Sequence, residues 1–342
     1  MKLIIHFFLL SFLLPIQHSF AQGCCSGGSG SPMVGGVSMG VLQQGQFDFG
    51  ESYQYFYSDK FLAGSKDTSS ALVKDLTTNY LYTRFGYGIS SRLSIYGEVG
   101  YFINKTEKGY DAERPDYIRE SKGFGDLIIL PRYNVYEKSS EKKHLEVTLG
   151  VGIKIPLGNF HDSTTVYVDP SSGEEFKTVS PPTVQTTTGS NDFIFYGFAI
   201  REFKPAKLKV FMSATFIEKG YNAMGEKFGN FLGVGLFVNK IYRRKLGLTG
   251  QLRYEYIGSM KLSPNVDFVA QGISVDPVST GGKKLSFVPQ ITYSIKSITF
   301  YGMYDLPLYQ YMNGMQIASK HLVTCGINYR FKPKKEIFKP TN

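Results

Sequence analysis

The chain has 342 residues, of which 15% are aromatic, with 37 glycines, no tryptophan and a formal net charge of +10. After residues 1–21 no run approaches the roughly 20 apolar residues of a spanning helix, so a helical membrane protein is excluded. The three cysteines, Cys24, Cys25 and Cys325, are odd in number and two are adjacent, which excludes a disulfide framework. Lysines and arginines are dispersed or lie in loops and the tail, which argues against nucleic acid and leaves anionic lipid or anionic solutes as counterparts.

Residues 1–21 read as a secretory signal peptide. Lys2 supplies the positive end, Leu3 to Leu14 the apolar core, and Ser19-Phe20-Ala21 a cleavage site before Gln22. Residues 22–44 form a Gly/Ser-rich N-terminal segment without strong periodicity. The eight glycines before Gln46, from Gly23 to Gly45, let backbone pack closely, and Met33, Val34, Val37, Met39, Val41 and Leu42 give it apolar surface that a solvated linker would not need. The expectation is a lumen plug entering from the periplasmic side. Cys24 and Cys25 are candidate metal ligands, since soft thiolates suit Cu(I) or Zn, with Met33 and Met39 as added thioethers, although the spacing matches no closed zinc motif. Lipidation at Cys24 is the other reading, and Gln22 is a poor fit to that motif.

From residue 45 to 331 a period of two recurs about twelve times, which predicts an all-β antiparallel transmembrane β-barrel with an apolar face toward lipid and a polar face toward a lumen. Gln46–Tyr57 sets Phe47, Phe49, Tyr53, Tyr55 and Tyr57 outward, with Glu51 interrupting that face as the mark of a bulge. Thr78–Ile89 and Leu93–Ile103 set Phe85, Tyr87, Ile95 and Tyr101 outward, with Arg84 and Glu98 inward. Leu145–Ile155 alternates cleanly, with Glu146 and Lys154 inward. Phe193–Glu202 reads with Ile194, Tyr196, Phe198 and Ile200 outward and Arg201 inward. Leu208–Ile217, Phe231–Asn239, Leu246–Ile257, Leu285–Ile295, Ile298–Leu306 and Leu322–Phe331 complete the set, with Arg253, Glu255, Asp305 and Arg330 inward and Cys325 on the lipid side. Connections alternate between short turns, such as Ser90-Ser91 and Lys296-Ser297, and long loops, such as Asn104–Glu120, Gly158–Gly189 and Gly258–Gly282. Short periplasmic turns and long outer loops are the outer-membrane arrangement. Residues 332–342 read as a basic periplasmic tail.

The stretch Gly123–Tyr136 carries the most specific pattern. Asp126 and Arg132 share the polar face six residues apart, roughly 20 Å along an extended strand. Gly123, Gly125, Asp126, then an apolar run, then Arg132 and Tyr133 resembles a signature of the outer-membrane barrel family of putative meta-pathway phenol-degradation proteins. The resemblance implies an outer-membrane channel and, through the family's name, aromatic or hydrophobic solutes. The terminal Asn328-Tyr329-Arg330-Phe331 resembles the strand read by barrel-assembly machinery, which with outer-membrane lipid would be the protein's partners.

The candidate site is the lumen lining: Arg84, Glu98, Asp126, Arg132, Glu146, Lys154, Arg253, Glu255, Asp305 and Arg330. Such charges either select solutes in an open pore or pair and brace a closed one. No cofactor is expected. Enzymatic activity is not expected either: no Gly-x-Ser-x-Gly elbow or His-Glu-x-x-His pair occurs, and Ser58 has inward parity while His321 points outward. The expected function is passive passage of small solutes. The alternatives are a soft-metal barrel using the cysteine pair and a structural or adhesive barrel.

Overall fold

The structure is a computed structural model that describes residues 40–109, 117–243, 245–264 and 276–333. The signal segment, Cys24, Cys25 and most of the basic tail lie outside these residues. Twelve long strands form the wall: β1 Phe47–Ser58, β2 Val73–Gly88, β3 Leu93–Gly109, β4 Tyr117–Ser139, β5 Lys143–Pro156, β6 Asp192–Phe203, β7 Leu208–Glu218, β8 Phe231–Tyr242, β9 Leu246–Ile257, β10 Gly282–Ile295, β11 Ile298–Ile317 and β12 His321–Phe331. Each pairs antiparallel with its neighbours in sequence. The ring closes where Phe47 of β1 lies opposite Phe331 of β12. An antiparallel closed sheet leaves no edge and no unpaired backbone in lipid, and for an exported chain of this kind it is the outer-membrane solution.

Alternation sets the two surfaces. Phe49, Phe85, Ile95, Val151, Leu248 and Ile291 are exposed on the outside, where lipid meets them. Near the periplasmic end, Phe47 packs on Tyr87 and Phe331 with ring centroids 4.8 and 5.2 Å apart, part of an aromatic girdle built without tryptophan. Glu51 falls on this outer face, but the register runs unbroken through Glu51↔Thr83 and Glu51↔Ile327, so the expected bulge is absent. Its carboxylate instead accepts a hydrogen bond from Thr83 Oγ1 at 2.6 Å, which satisfies one polar group in an apolar belt.

Two other expectations are corrected. The pattern predicts a loop over residues 104–120, yet β3 continues to Gly109 and β4 begins at Tyr117. Likewise β11 runs to Ile317, because its outer end pairs with Phe61–Gly64 of the first outer loop. A membrane span needs only about 9–11 residues, so strands of 17, 23 and 20 residues project beyond the bilayer on the outer side. Beyond lipid, alternation is no longer enforced, and the pattern fades although pairing persists. The second correction is β6. Phe193 and Phe195 are 59% and 46% exposed, whereas Ile194, Tyr196 and Phe198 are buried, so the strand faces opposite to the expected way and Arg201 lies outside. The reason is space. Ile194 lies opposite Gly152 and Tyr196 opposite Gly150 on β5, and those inward glycines admit large inward side chains beside them.

Candidate functional site

An eight-stranded barrel is just wide enough for side chains to fill; twelve strands enclose more. This lumen is occupied by large residues and by backbone. Its two walls differ. On β4, β6, β7 and β8, Ile128, Leu130, Ile194, Tyr196, Phe198, Ile217 and Phe237 form one apolar cluster. Phe211 stacks on Phe237 with centroids 4.4 Å apart.

The opposite wall is ionic. Asp48, fully buried, accepts from Arg84 Nη2 at 3.1 Å and from Arg330 Nε at 3.2 Å. Lys284 Nζ lies 2.9 Å from Glu255 and 3.4 Å from Asp305, and Arg253 bridges the same two carboxylates. Each of these buried charges has an opposite partner, without which its desolvation would be prohibitive. Lys284, which the alternation also reads as an inward charge, belongs to this cluster through its contacts.

Arg132 sits where the walls meet. Its guanidinium lies 4.1 Å from the Tyr96 ring centroid and 4.5 Å from that of Tyr196, and Nη2 is 3.4 Å from Glu98 Oε1. Tyr82 OH donates to the other Glu98 oxygen. A planar guanidinium stacks on rings and pairs with a carboxylate at once, which lysine cannot do. Tyr96, Glu98 and Arg132 are all at most 2% exposed. These side chains form one layer inside the lumen.

On the outer side of the layer the signature stretch acquires a function. Gly125 O accepts from the N–H groups of Leu157 and Gly158, at 3.1 and 2.9 Å. Asp126 accepts from Thr187 Oγ1 and pairs with Lys154 at 3.1 Å. Gly-x-Gly-Asp therefore fastens both ends of the loop between β5 and β6 and turns it into the barrel. A Cβ on Gly158 would overlap the Phe124 carbonyl, so only glycine permits the approach. Within that loop Ser180, Thr183, Val184, Gln185, Thr186 and Thr187 are buried. Lys105 Nζ donates to Gln185 O at 2.8 Å, and Thr183 Oγ1 donates to Glu107 at 2.9 Å. Lys154 also pairs with Asp192, which takes Lys219 at 3.0 Å. Lys105, Glu107 and Asp192 are not among the sequence candidates. The first two fall in a stretch whose pattern reads as loop, and Asp192 stands one residue before the expected start of its strand.

On the periplasmic side, residues 40–42 lie inside the mouth. Leu42 is 1% exposed and its N–H donates to Ser94 Oγ at 2.7 Å. Val41 N–H donates to Glu146 Oε1 at 3.3 Å, and Tyr96 OH donates to Gly40 O at 3.3 Å. Glu146 thus holds main chain as well as Thr148 Oγ1, at 2.9 Å.

Two cavities lie toward opposite ends of the lumen among the described residues. The outer one, about 190 Å³, lies under the infolded loop; the periplasmic one, about 460 Å³, is bounded by Gly40, Val41, Glu146, Lys209, Tyr301 and Arg330 among others. They share no lining residue. Ser58 Oγ donates inward to Ala318 O at 2.5 Å, while His321 Nδ1 meets Tyr304 OH at 2.6 Å on the exposed face, so the two do not form a catalytic pair. Among the described residues no group of three or more histidines, cysteines, aspartates or glutamates gathers as a metal site.

No family model matches the chain, and no curated protein matches it. Among solved structures, an outer membrane channel of the COG4313 type from Pseudomonas putida F1 is similar with a TM-score of 0.62 at 14% identity, covering 87% of this chain and all of that one. The KdgM porin is similar with a TM-score of 0.39 at 8% identity, covering 82% of this chain and 99% of that one. The first likeness is one of fold: a closed outer-membrane barrel over almost the whole chain.

Proposed function

We propose that the protein is a narrow outer-membrane channel for passive passage of small solutes with an apolar body, held closed at rest. The observation that supports this reading is a pair of cavities toward opposite ends of the lumen that share no lining residue, with the Arg132 cluster of Tyr96, Glu98 and Tyr196 on the stretch of strand between them. The apolar wall supports a solute with hydrophobic surface, and the ionic wall supports one that also carries polar groups. The family resemblance in Gly123–Tyr133 and the channel with the similar fold point the same way.

The segment 22–44 belongs to the closed state in this reading. Residues 40–42 enter the periplasmic mouth, where Gly40 borders the larger cavity, and residues 22–39 lie outside the described residues. Planar-bilayer recording tests the proposal. Wild-type protein is expected to show small, infrequent openings. Replacing Arg132 with Ala, or deleting Gln22–Gln43, is expected to raise single-channel conductance while the barrel still assembles, as judged by faster gel mobility before boiling. If neither variant conducts more than bare bilayer, the channel reading fails and the barrel is a closed scaffold.

A further inference from the structure

Burying a polar atom without a partner forfeits the bond that water had supplied. Protein interiors hold few such atoms, and each has a reason. In this lumen they gather on the strands of the ionic wall. Gln54 of β1 is buried with neither its amide oxygen nor its amide nitrogen hydrogen-bonded. Gln251 Nε2 of β9 and Ser286 Oγ of β10 are in the same condition. Asp305 of β11 holds Arg253 and Lys284 through Oδ2, while its buried Oδ1 meets no donor. The charges on these strands are matched; the groups left over are amides, a hydroxyl and one carboxylate oxygen. Thr215 and Asn239 add one such atom each on β7 and β8. Along the strands, the four side chains fall between the two cavities. On β9 the outer cavity reaches Glu255, and Gln251 stands four residues nearer the periplasm. On β11 the periplasmic cavity reaches Tyr301, and Asp305 stands four residues farther out. Neither cavity is lined by Gln54, Gln251, Ser286 or Asp305.

We infer that Gln54, Gln251, Ser286 and Asp305 line the route from one cavity to the other, and that the solute they serve presents uncharged hydroxyl or amide groups. The inference rests on the channel reading and names the polar part of the solute and the side of the lumen it follows. At rest this wall leaves donors and acceptors unused. With the apolar side chains opposite drawn back, it offers them to water and to the solute, so the opened state regains bonds that the resting state forgoes. An ion of either sign gains less. Arg253 and Lys284 are already matched by Glu255 and Asp305, and an added charge has to break that set. A hydroxyl both donates and accepts, and the Gln54 amide answers both on one side chain.

Gln54→Met with Gln251→Met keeps side-chain length, removes the unpartnered amides and spares every charge. Two measurements on the full chain in lipid vesicles test the inference. In guanidinium unfolding the double variant is expected to match or exceed the wild-type midpoint, because no bond of the resting barrel is lost; amides that brace the wall would lower it. In uptake of labelled solutes, wild-type vesicles are expected to take up methyl xyloside, neutral and hydroxylated, about fivefold faster than the anion methyl glucuronide or the cation glucosamine. The double variant is expected to take up methyl xyloside about tenfold more slowly than wild type. If the double variant does not assemble, as judged by gel mobility before boiling, Gln54→Met alone is held to the same expectations. A lowered midpoint, equal uptake of neutral and charged solutes, or methyl xyloside uptake unaltered by the substitutions overturns the inference and leaves the channel reading standing. Wild-type vesicles that take up none of the three solutes faster than protein-free lipid sink the channel reading and the inference together.

Discussion

On one side of the lumen Ile194, Phe198 and Phe237 bury one another; on the other Asp48 holds Arg84 and Arg330, and Asp305 holds Arg253 and Lys284. Both walls are largely buried, yet they tolerate change differently. Trimming an apolar side chain leaves a void, with a cost that scales with its size. Removing one member of an ion pair leaves a charge with no water and no partner, which costs far more than the intact pair contributed. The apolar wall can therefore accommodate a varied solute surface by small repacking, while the ionic wall keeps one geometry. Arg132 joins the two by stacking on Tyr96 and Tyr196 and pairing with Glu98, so a change there is felt on both.

Substitutions that unbalance the ionic wall should have the largest effect. Asp48→Ala removes the buried carboxylate that Arg84 and Arg330 share and is expected to destabilise the barrel by up to about 3 kcal/mol, read as a shift in guanidinium unfolding from lipid vesicles; a shift no larger than that of an outward Ala substitution would mean that this wall is wet. Replacing a linked pair together should be milder. Arg253→Met with Asp305→Leu removes opposite charges at once and leaves Lys284 with Glu255, so the double variant is expected to be more stable than Asp305→Leu alone. In the apolar wall, Ile194→Val is expected to cost only about 0.5–1.5 kcal/mol and to leave conductance unchanged, and a larger drop in stability there would erase the contrast between the walls.

The smallest effect belongs outside both walls. Asp59 at the outer rim accepts from Lys320 Nζ at 2.7 Å, and that hydrogen bond holds the carboxyl below its ordinary range. A carboxyl with a folded-state pKa below its unfolded value stabilises the fold fully above the unfolded value and stops doing so as pH falls through the folded one. The pair is well exposed, so Asp59→Asn is expected to remove a faint acid-side slope in thermal stability that added salt also removes.

Much of the candidate lining was legible because alternation with charges on one parity can mean little else in an exported all-β chain. Arg84, Glu98, Asp126, Arg132, Glu146, Lys154, Arg253, Glu255, Asp305 and Arg330 all stand on the inner side of the wall in the structure. Partners were not legible, since pairing depends on strand neighbours and on depth. Arg132 shares a strand with Asp126 but pairs with Glu98 of β3 instead.

Sequence by itself determined the closed antiparallel sheet, the lipid-facing belt and the alternation of short turns with long loops, because lipid demands an apolar residue at every second position wherever a strand crosses it. Tertiary structure alone decided the face of β6, where Phe193 and Phe195 compete with Ile194, Tyr196 and Phe198 and only the space above Gly150 and Gly152 breaks the tie. It alone decided how far β3, β4 and β11 extend past the membrane, because pairing there continues without the lipid that writes the pattern. It also decided the meeting of Arg132 with Tyr96 and Tyr196, which happens only when strands distant in sequence are bent into one ring.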